Sequence, residues 1–228
     1  MEATTQDATN AGYEKGICTK NYLHDGVESL QRRNEHTNKV RSKDIIEDER
    51  RLHEYRSVTR CNCVNANEEV TLNIIVGTRT RLNPPLPQEY WGNAVILKSI
   101  KVKAGELLEN QLGFSALQIN KVVVSQNYEE VIDSYKGWVE KPVMFSKKLL
   151  LMANKLSISS SPKFSVYSCD FGWGKPVGVR SGMANKGDGK VTLFPGVEEG
   201  SVDIEVCLLT STLLAMENDE EFMEFVTV

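Results

Sequence analysis

Apolar positions recur with a period of two in some stretches of the chain and with a helical period in others. From Glu69 to Thr78, Val70, Leu72, Ile74 and Val76 fall on one side of a β-branched run, which predicts a strand with one buried face. Asn93 to Lys103 alternates again, with Val95, Leu97 and Ile100 as apolar positions, and predicts the next strand before Ala104-Gly105 turns the chain. The prolines Pro84, Pro85 and Pro87 cannot donate to a ladder, so they predict a surface connection between the two strands. Glu106 to Ser125 reads as one long helix, with Leu108, Leu112, Ile119 and Val122 on one face. Asn127 is a good N-cap with Glu130 three residues on. The helix it opens groups Val131, Tyr135 and Trp138 and ends before Pro142. Phe145 to Ala153 fits neither period.

Further on, Leu156 to Ser159 and Lys163 to Tyr167 read as short strands flanking Ser160-Ser161-Pro162, and Pro176 to Arg180 as another. Gly182 to Gly189 is a loop. Lys190 to Phe194 and Ser201 to Leu209 form a hairpin about Pro195-Gly196. Ser211 to Phe225 reads as a terminal helix with Leu214 and Phe222 inward. Strands and helices mix without strict alternation, so the fold class is α/β, or α+β with a mixed sheet.

The first 40 or so residues are polar and aperiodic, and too poor in apolar surface to offset their ordering entropy. They are expected to be disordered. Residues 1–52 are thus expected to be a disordered or divergent arm, with a short amphipathic helix near 43–57 carrying Ile45, Leu52 and Tyr55 on one face. The 228 residues hold one sizeable core, and 40% hydrophobic and 25% charged residues are those of a globular protein. A net charge of −4 and a pI near 5.6 argue against nucleic acid as a partner. No apolar leader opens the chain, and the longest apolar-leaning run, Val206 to Met216, is too short for a bilayer. No membrane association is therefore expected. The five cysteines are odd in number and none is spaced C-x-x-C. No histidine sits at ligand spacing from Cys61 and Cys63. Free thiols in a reducing compartment and no metal are the expectation.

Asp170-Phe171-Gly172-Trp173-Gly174-Lys175-Pro176 stands out from this background. Two glycines that permit positive φ alternate with two large aromatics behind a single acid. A tight corner pinned by aromatic packing is expected, with Asp170 seeking a cation. Upstream lie Arg79-Thr80-Arg81-Leu82-Asn83-Pro84-Pro85-Leu86-Pro87 and Tyr90-Trp91-Gly92-Asn93. From about His53 onward the chain resembles the plant BAHD acyltransferases, which use acyl-CoA, and most closely their acetyltransferase-like branch. The Asp-Phe-Gly-Trp-Gly landmark matches at every position. Trp91 alone departs from the Tyr-Phe-Gly-Asn pattern, and it keeps an aromatic.

The resemblance implies a chloramphenicol-acetyltransferase-like domain over 53–228, the second half of a two-domain fold. It implies transfer of an acyl group from acyl-CoA, as co-substrate, to a hydroxyl or amine of a small metabolite. It also implies a cytoplasmic setting and a structural role for Asp170 paired with an arginine, Arg81 or alternatively Arg79. The family base is the histidine of a His-x-x-x-Asp motif in the first half. His24, with Glu28 four residues on, is the nearest approach here and a remote candidate, so no catalytic residue is identified. His36 has no acid four residues on, and His53 lies in the helix lead-in. Ser159, Ser160 and Ser161 are candidate CoA contacts, as are Lys186 and Lys190 for its phosphates; polar strand ends and solvated lysines are the plainer readings. Two functions stay open: an acyltransferase, or a truncated non-catalytic paralogue. A half fold also implies an exposed domain interface through which the chain self-associates.

Overall fold

The computed structural model describes residues 15–22, 55–110, 112–143, 154–182, 186–197, 201–224 and 226–227. Seven strands form one mixed sheet in the order β3-β2-β4-β5-β6-β1-β7. They are β1 (Lys15–Tyr22), β2 (Glu69–Gly77), β3 (Val95–Lys103), β4 (Lys155–Ser159), β5 (Lys190–Pro195), β6 (Val202–Leu209) and β7 (Val226–Thr227). β4 runs parallel to both β2 and β5, and every other pairing is antiparallel. Among the described residues six helices accompany the sheet: α1 (55–61), α2 (Ala104–Glu109), α3 (Leu112–Val124), α4 (Tyr128–Glu140), α5 (Thr210–Glu217) and α6 (Glu220–Met223).

Side chains alternate along a strand, so the register sorts every residue to one of two faces. Val70, Leu72, Ile74 and Val76 of β2 stand opposite Val102, Ile100, Lys98 and Ile96 of β3. That face continues through Leu156 and Ile158, Val191 and Leu193, and Ile204, Val206 and Leu208. The helices deliver Tyr55, Val58, Leu107, Ile119, Val131, Met216 and Phe222 into the same apolar cluster. One sheet face and one helical layer therefore enclose the core.

The strands β2, β4 and the β5–β6 hairpin fall where the hydrophobic pattern puts them. β3 is shifted by one position: Ile96, Ile100 and Val102 are buried, whereas Val95 is exposed and Leu97 half-buried. Pairing with β2 decides this, because a slip of one residue would turn Lys98 and the whole set over. The N-terminal expectation needs correction where the chain is described. Residues 15–22 are not disordered but form β1, which pairs with all of β6. A strand can be held by its backbone ladders, here to β6 on one side and β7 on the other, without an alternating pattern of its own. Most of the residues of the expected helix near 43–57 lie outside those described; its end, from 55, is seen as α1, which runs to 61.

The single helix expected over Glu106 to Ser125 is broken, because Asn110 is extended at φ −87°, ψ 155°. The freed carbonyls of α2 have a partner: the buried Arg56 guanidinium donates to the oxygens of Leu107 (3.0 Å), Leu108 (3.3 Å) and Asn110. A cation at a helix C-terminus satisfies orphan carbonyls and complements the dipole. In α4, Asn127 accepts from the Glu130 N–H at 3.0 Å as expected, and Val131 is buried. Trp138, expected beside Val131, is exposed. The terminal helix is likewise two helices, with Leu214 exposed and Thr212, Met216 and Phe222 buried. Lys163 to Tyr167 and Pro176 to Arg180 are not strands; a 3-10 turn at Val166–Ser168 occupies the first.

The break before α6 is made by Asp219, whose side chain caps the helix by accepting from the Phe222 N–H at 3.4 Å. The same carboxylate receives Arg60 Nε at 2.9 Å and Nη2 at 2.5 Å, and Glu221 receives Arg60 Nη1 at 2.7 Å. This network ties α1 to the C-terminal helices. Burial and the Asp219 charge push the Cys61 thiol beside it up to about 11, so it stays protonated and unreactive. Asp219→Ala should lower unfolding stability by about 1.5–3 kcal/mol in urea titration, the range for hydrogen bonds to charged groups. Asp219→Asn, which still caps a helix, should lose less; equal losses would assign the effect to the arginine pair rather than to the cap.

Candidate functional site

The face of the sheet opposite the helices is polar. At one level across it, Ser99, Asn73, Ser157, Lys190 and Cys207 stand opposite one another on successive strands. At the next, Ser159, Thr192 and Glu205 do so. Ser99 Oγ donates to Asn73 Oδ1 at 2.6 Å, and Asn73 Nδ2 donates to Ser157 Oγ at 3.1 Å. Thr71, Asn73, Ser157, Thr192, Asp203 and Glu205 are all buried. A polar sheet face buried to this degree must be roofed and hydrogen-bonded.

Part of the roof is the segment between β4 and β5. Ser181 Oγ donates to Glu205 Oε1, and its backbone N–H reaches Oε2 at 3.4 Å. Lys186 Nζ donates to Glu205 and, at 2.5 Å, to Ser181 Oγ. Asp188 Oδ1 accepts from the Leu209 N–H at 3.1 Å. At the end of the segment, Gly189 has φ +79°, and a Cβ there would lie 2.1 Å from the Lys155 carbonyl oxygen. Only glycine fits both the conformation and the space. Arg180 Nη1 lies 4.0 Å from Asp203 Oδ2.

Three titrations respond to this packing. Burial pushes the Glu205 carboxyl up, but hydrogen bonds from Lys186 and Ser181 and the lysine charge outweigh it and hold the group below its ordinary value. Burial pushes Asp203 up, partly offset by Arg180 and Tyr167. Burial and the neighbouring Lys186 charge push Lys190 down. Among the described residues no carboxylate pairs with Lys190.

The residues singled out from the sequence are not gathered in one place. Lys186 is no free phosphate ligand: its side chain is 15% exposed and its ammonium is engaged by Glu205 and Ser181. Ser161 Oγ accepts from the Lys163 N–H at 3.2 Å, and Ser160 takes a left-handed φ of 64°, so both shape the turn after β4. His24, His36 and His53 lie outside the described residues.

The Asp170 to Gly174 corner is correct in its glycines and wrong in its partners. Gly172 and Gly174 have φ of +94° and +101°. Asp170 Oδ1 accepts from the N–H groups of Gly172 (2.7 Å) and Gly174 (3.1 Å), so the acid closes its own loop. Neither arginine pairs with it. Arg81 Nη1 donates to the carbonyls of Val123 (3.0 Å) and Gln126 (2.7 Å), at the C-terminal end of α3. Arg79 donates to the carbonyls of Tyr90 (2.8 Å) and Gly92 (3.3 Å) and stacks over the Tyr90 ring at 5.4 Å. The aromatics do not pin the corner, since Phe171 is 83% and Trp173 93% exposed.

The geometry thus defines a mixed-sheet α/β fold with a hydroxyl- and amide-rich floor facing away from its core. The chain belongs to the Transferase family, the BAHD acyltransferases, whose match covers residues 4–223. The match includes the segment ahead of His53, where the sequence resemblance had faded. The chain is 37% identical over 177 residues to an uncharacterised acetyltransferase of Arabidopsis thaliana, covering 75% of this chain and 39% of that protein. It is 31% identical over 172 residues to the BAHD acyltransferase DCR of Arabidopsis thaliana, covering 75% of this chain and 35% of that one. The chain therefore spans well under half the length of these curated relatives. Among solved structures, F. sporotrichioides TRI101 complexed with coenzyme A and T-2 superposes with a TM-score of 0.77 at 14% identity, over 97% of this chain and 53% of TRI101. Vinorine synthase does so with a TM-score of 0.65 at 15% identity, over 94% and 49%. These likenesses establish the fold.

A carboxyl held below its ordinary value stabilises the fold above the unfolded value of about 4.3 and loses that contribution as pH falls through the lower folded value. Glu205→Gln leaves Lys186 buried and unpaired, and breaking such a pair typically costs about 3–5 kcal/mol. Wild type should exceed the variant in unfolding stability at pH 7, with the gap closing as the pH falls below about 4. Parallel stability curves over pH 3–7 would remove Glu205 from this role.

Proposed function

We propose that this chain supplies the coenzyme A-facing part of an acyl-CoA-dependent acyltransferase acting in the cytoplasm on a hydroxyl or amine of a small plant metabolite. The observation that carries the reading is the polar sheet face, on a half-fold shared with a TRI101 solved in complex with coenzyme A. The relatives named as acyl transferases support the chemistry.

In such a transfer the acceptor's oxygen or nitrogen attacks the thioester carbonyl, the C–S bond breaks, and the thiol leaves with the acceptor's proton. The floor can contribute donors and acceptors that hold an amide-rich or phosphorylated acyl carrier: the Asn73 amide, the hydroxyls of Ser157, Ser159 and Thr192, and the Lys190 amine. The base of the His-x-x-x-Asp motif is assigned to no residue. The Asp-Phe-Gly-Trp-Gly loop has a structural part, since Asp170 folds it and no carboxylate–arginine pair is involved.

Calorimetry with coenzyme A and acetyl-CoA should find binding, weakened about fivefold by Asn73→Ala, the effect of one hydrogen bond near 1 kcal/mol. Thiol release with a panel of alcohols and amines should run below the usual enzymatic range of about 1–10³ per second. A positioned base ordinarily contributes about 10²–10⁴-fold. No detectable coenzyme A binding would defeat the reading.

Phe171, Trp173, Val177 and Trp91 present apolar surface without cover in this chain. Self-association through it is part of the proposal. Trp173→Ser should shift the sedimentation profile toward monomer; a monomeric wild type at high concentration would count against it.

A further inference from the structure

Lys190 is the half-buried amine to which the reading above gives only a binding part. It opens β5, and its backbone is fixed by the N–H donating to Gly187 O at 3.1 Å. The ladders place it opposite Ser157 of β4 and Cys207 of β6, so its side chain belongs to the polar face. The side chain is half-buried. The charged and titratable groups around it are accounted for elsewhere. Lys186, on its own segment, is bound to Glu205, and Asp188 accepts from the Leu209 N–H. Glu205 of β6 is engaged by Lys186 and Ser181, while Cys207, a buried thiol in no disulfide, and Lys155 of β4 each have an interaction of their own. Glu205 compensates Lys186, and among the described residues nothing compensates Lys190.

An ammonium in that position is disfavoured twice, by lost hydration and by a fixed cation nearby. Neutral amine is thus more abundant at a given pH than on a solvated lysine, and neutral amine is the nucleophile. The exposed Lys101 and Lys136 offer the contrast, since each is paired with an acid, Glu69 or Asp133.

We propose that Lys190 is an acyl-accepting site: its Nζ attacks the carbonyl carbon of an acyl-CoA bound on the polar face, an N–C amide bond forms, and the C–S bond breaks. Coenzyme A leaves as the thiol, carrying the proton lost by the amine, and the product is an Nε-acyl-lysine. The step needs no oxidant and no second substrate. It rests on the reading of this face as the acyl-CoA site. Acylation removes the charge beside Lys186 and fills the floor with an acyl group, so an acylated chain should bind acyl-CoA more weakly.

The test uses the full chain and two acyl donors. Limiting acetic anhydride, followed by peptide mass spectrometry, reads amine reactivity without any need for a coenzyme A site. Lys190 should label several-fold faster than Lys101 and Lys136, with its rate rising at lower pH than theirs. Acetyl-CoA should then place an acetyl group on Lys190 ahead of the same two lysines. Lys190→Arg, which keeps the cation, should abolish that label and leave theirs unchanged. Labelling by anhydride no faster than at Lys101 and Lys136 overturns the proposal. Selective labelling by anhydride but none by acetyl-CoA also overturns it. Calorimetry with coenzyme A then separates the causes: binding without labelling condemns Lys190 alone, and no binding condemns the site.

Discussion

The period of two along each strand, held in register from β3 to β6, is the constraint on which the rest of this structure depends. Leu72, Leu156, Val191 and Ile204 can share a core only if Asn73, Ser157, Lys190 and Glu205 share the opposite face. A slip of one residue at any ladder would exchange the two sets. It would place a lysine and a glutamate under the helices, where unpaired charge is expensive. The same pairing that closes the core therefore assembles the polar floor.

Arginine does much of the remaining joining, and it does so through carbonyls as well as carboxylates. Arg56 receives the C-terminal end of α2 and Arg81 that of α3, while Arg79 holds the turn at Tyr90 and Gly92. Helix ends leave carbonyls without intrahelical partners, and a guanidinium presents several donors to them at once. Arg60 works through carboxylates, bridging Asp219 and Glu221 and fixing α1 to the end of the chain, and Arg56 Nε adds a contact with Glu221 at 3.5 Å. Asp170 meanwhile needs no cation, because two glycine N–H groups of its own loop supply its hydrogen bonds.

On the polar face, one glutamate beside two lysines makes the lysines unequal. Glu205 holds Lys186, and through it the roof, against the sheet. Lys190 feels the charge of Lys186 without sharing its counter-ion. Similar lysines four positions apart thus acquire different chemistry from their partners, not from their own structure.

By itself the sequence determined the class, the family and most strands. The alternation of Val70 to Val76, the hairpin at Pro195-Gly196, the Asn127 cap and the need for glycine at 172 and 174 are all local, set by side-chain period and backbone sterics. Tertiary structure alone decided the rest. It chose the buried side of β3, because a partner strand and not the strand's own pattern selects the face. It built β1 from a segment with no alternating pattern, because ladder bonds belong to the pair. It broke two helices, one where Arg56 receives the freed carbonyls from far along the chain, the other at Asp219, which caps the next helix locally and takes Arg60 from across the fold. It also joined Glu205 to Lys186, 19 residues apart, and gave Lys190 no carboxylate among the described residues. Electrostatic partners are fixed by distance in space, and spacing along the chain carries almost none of that information.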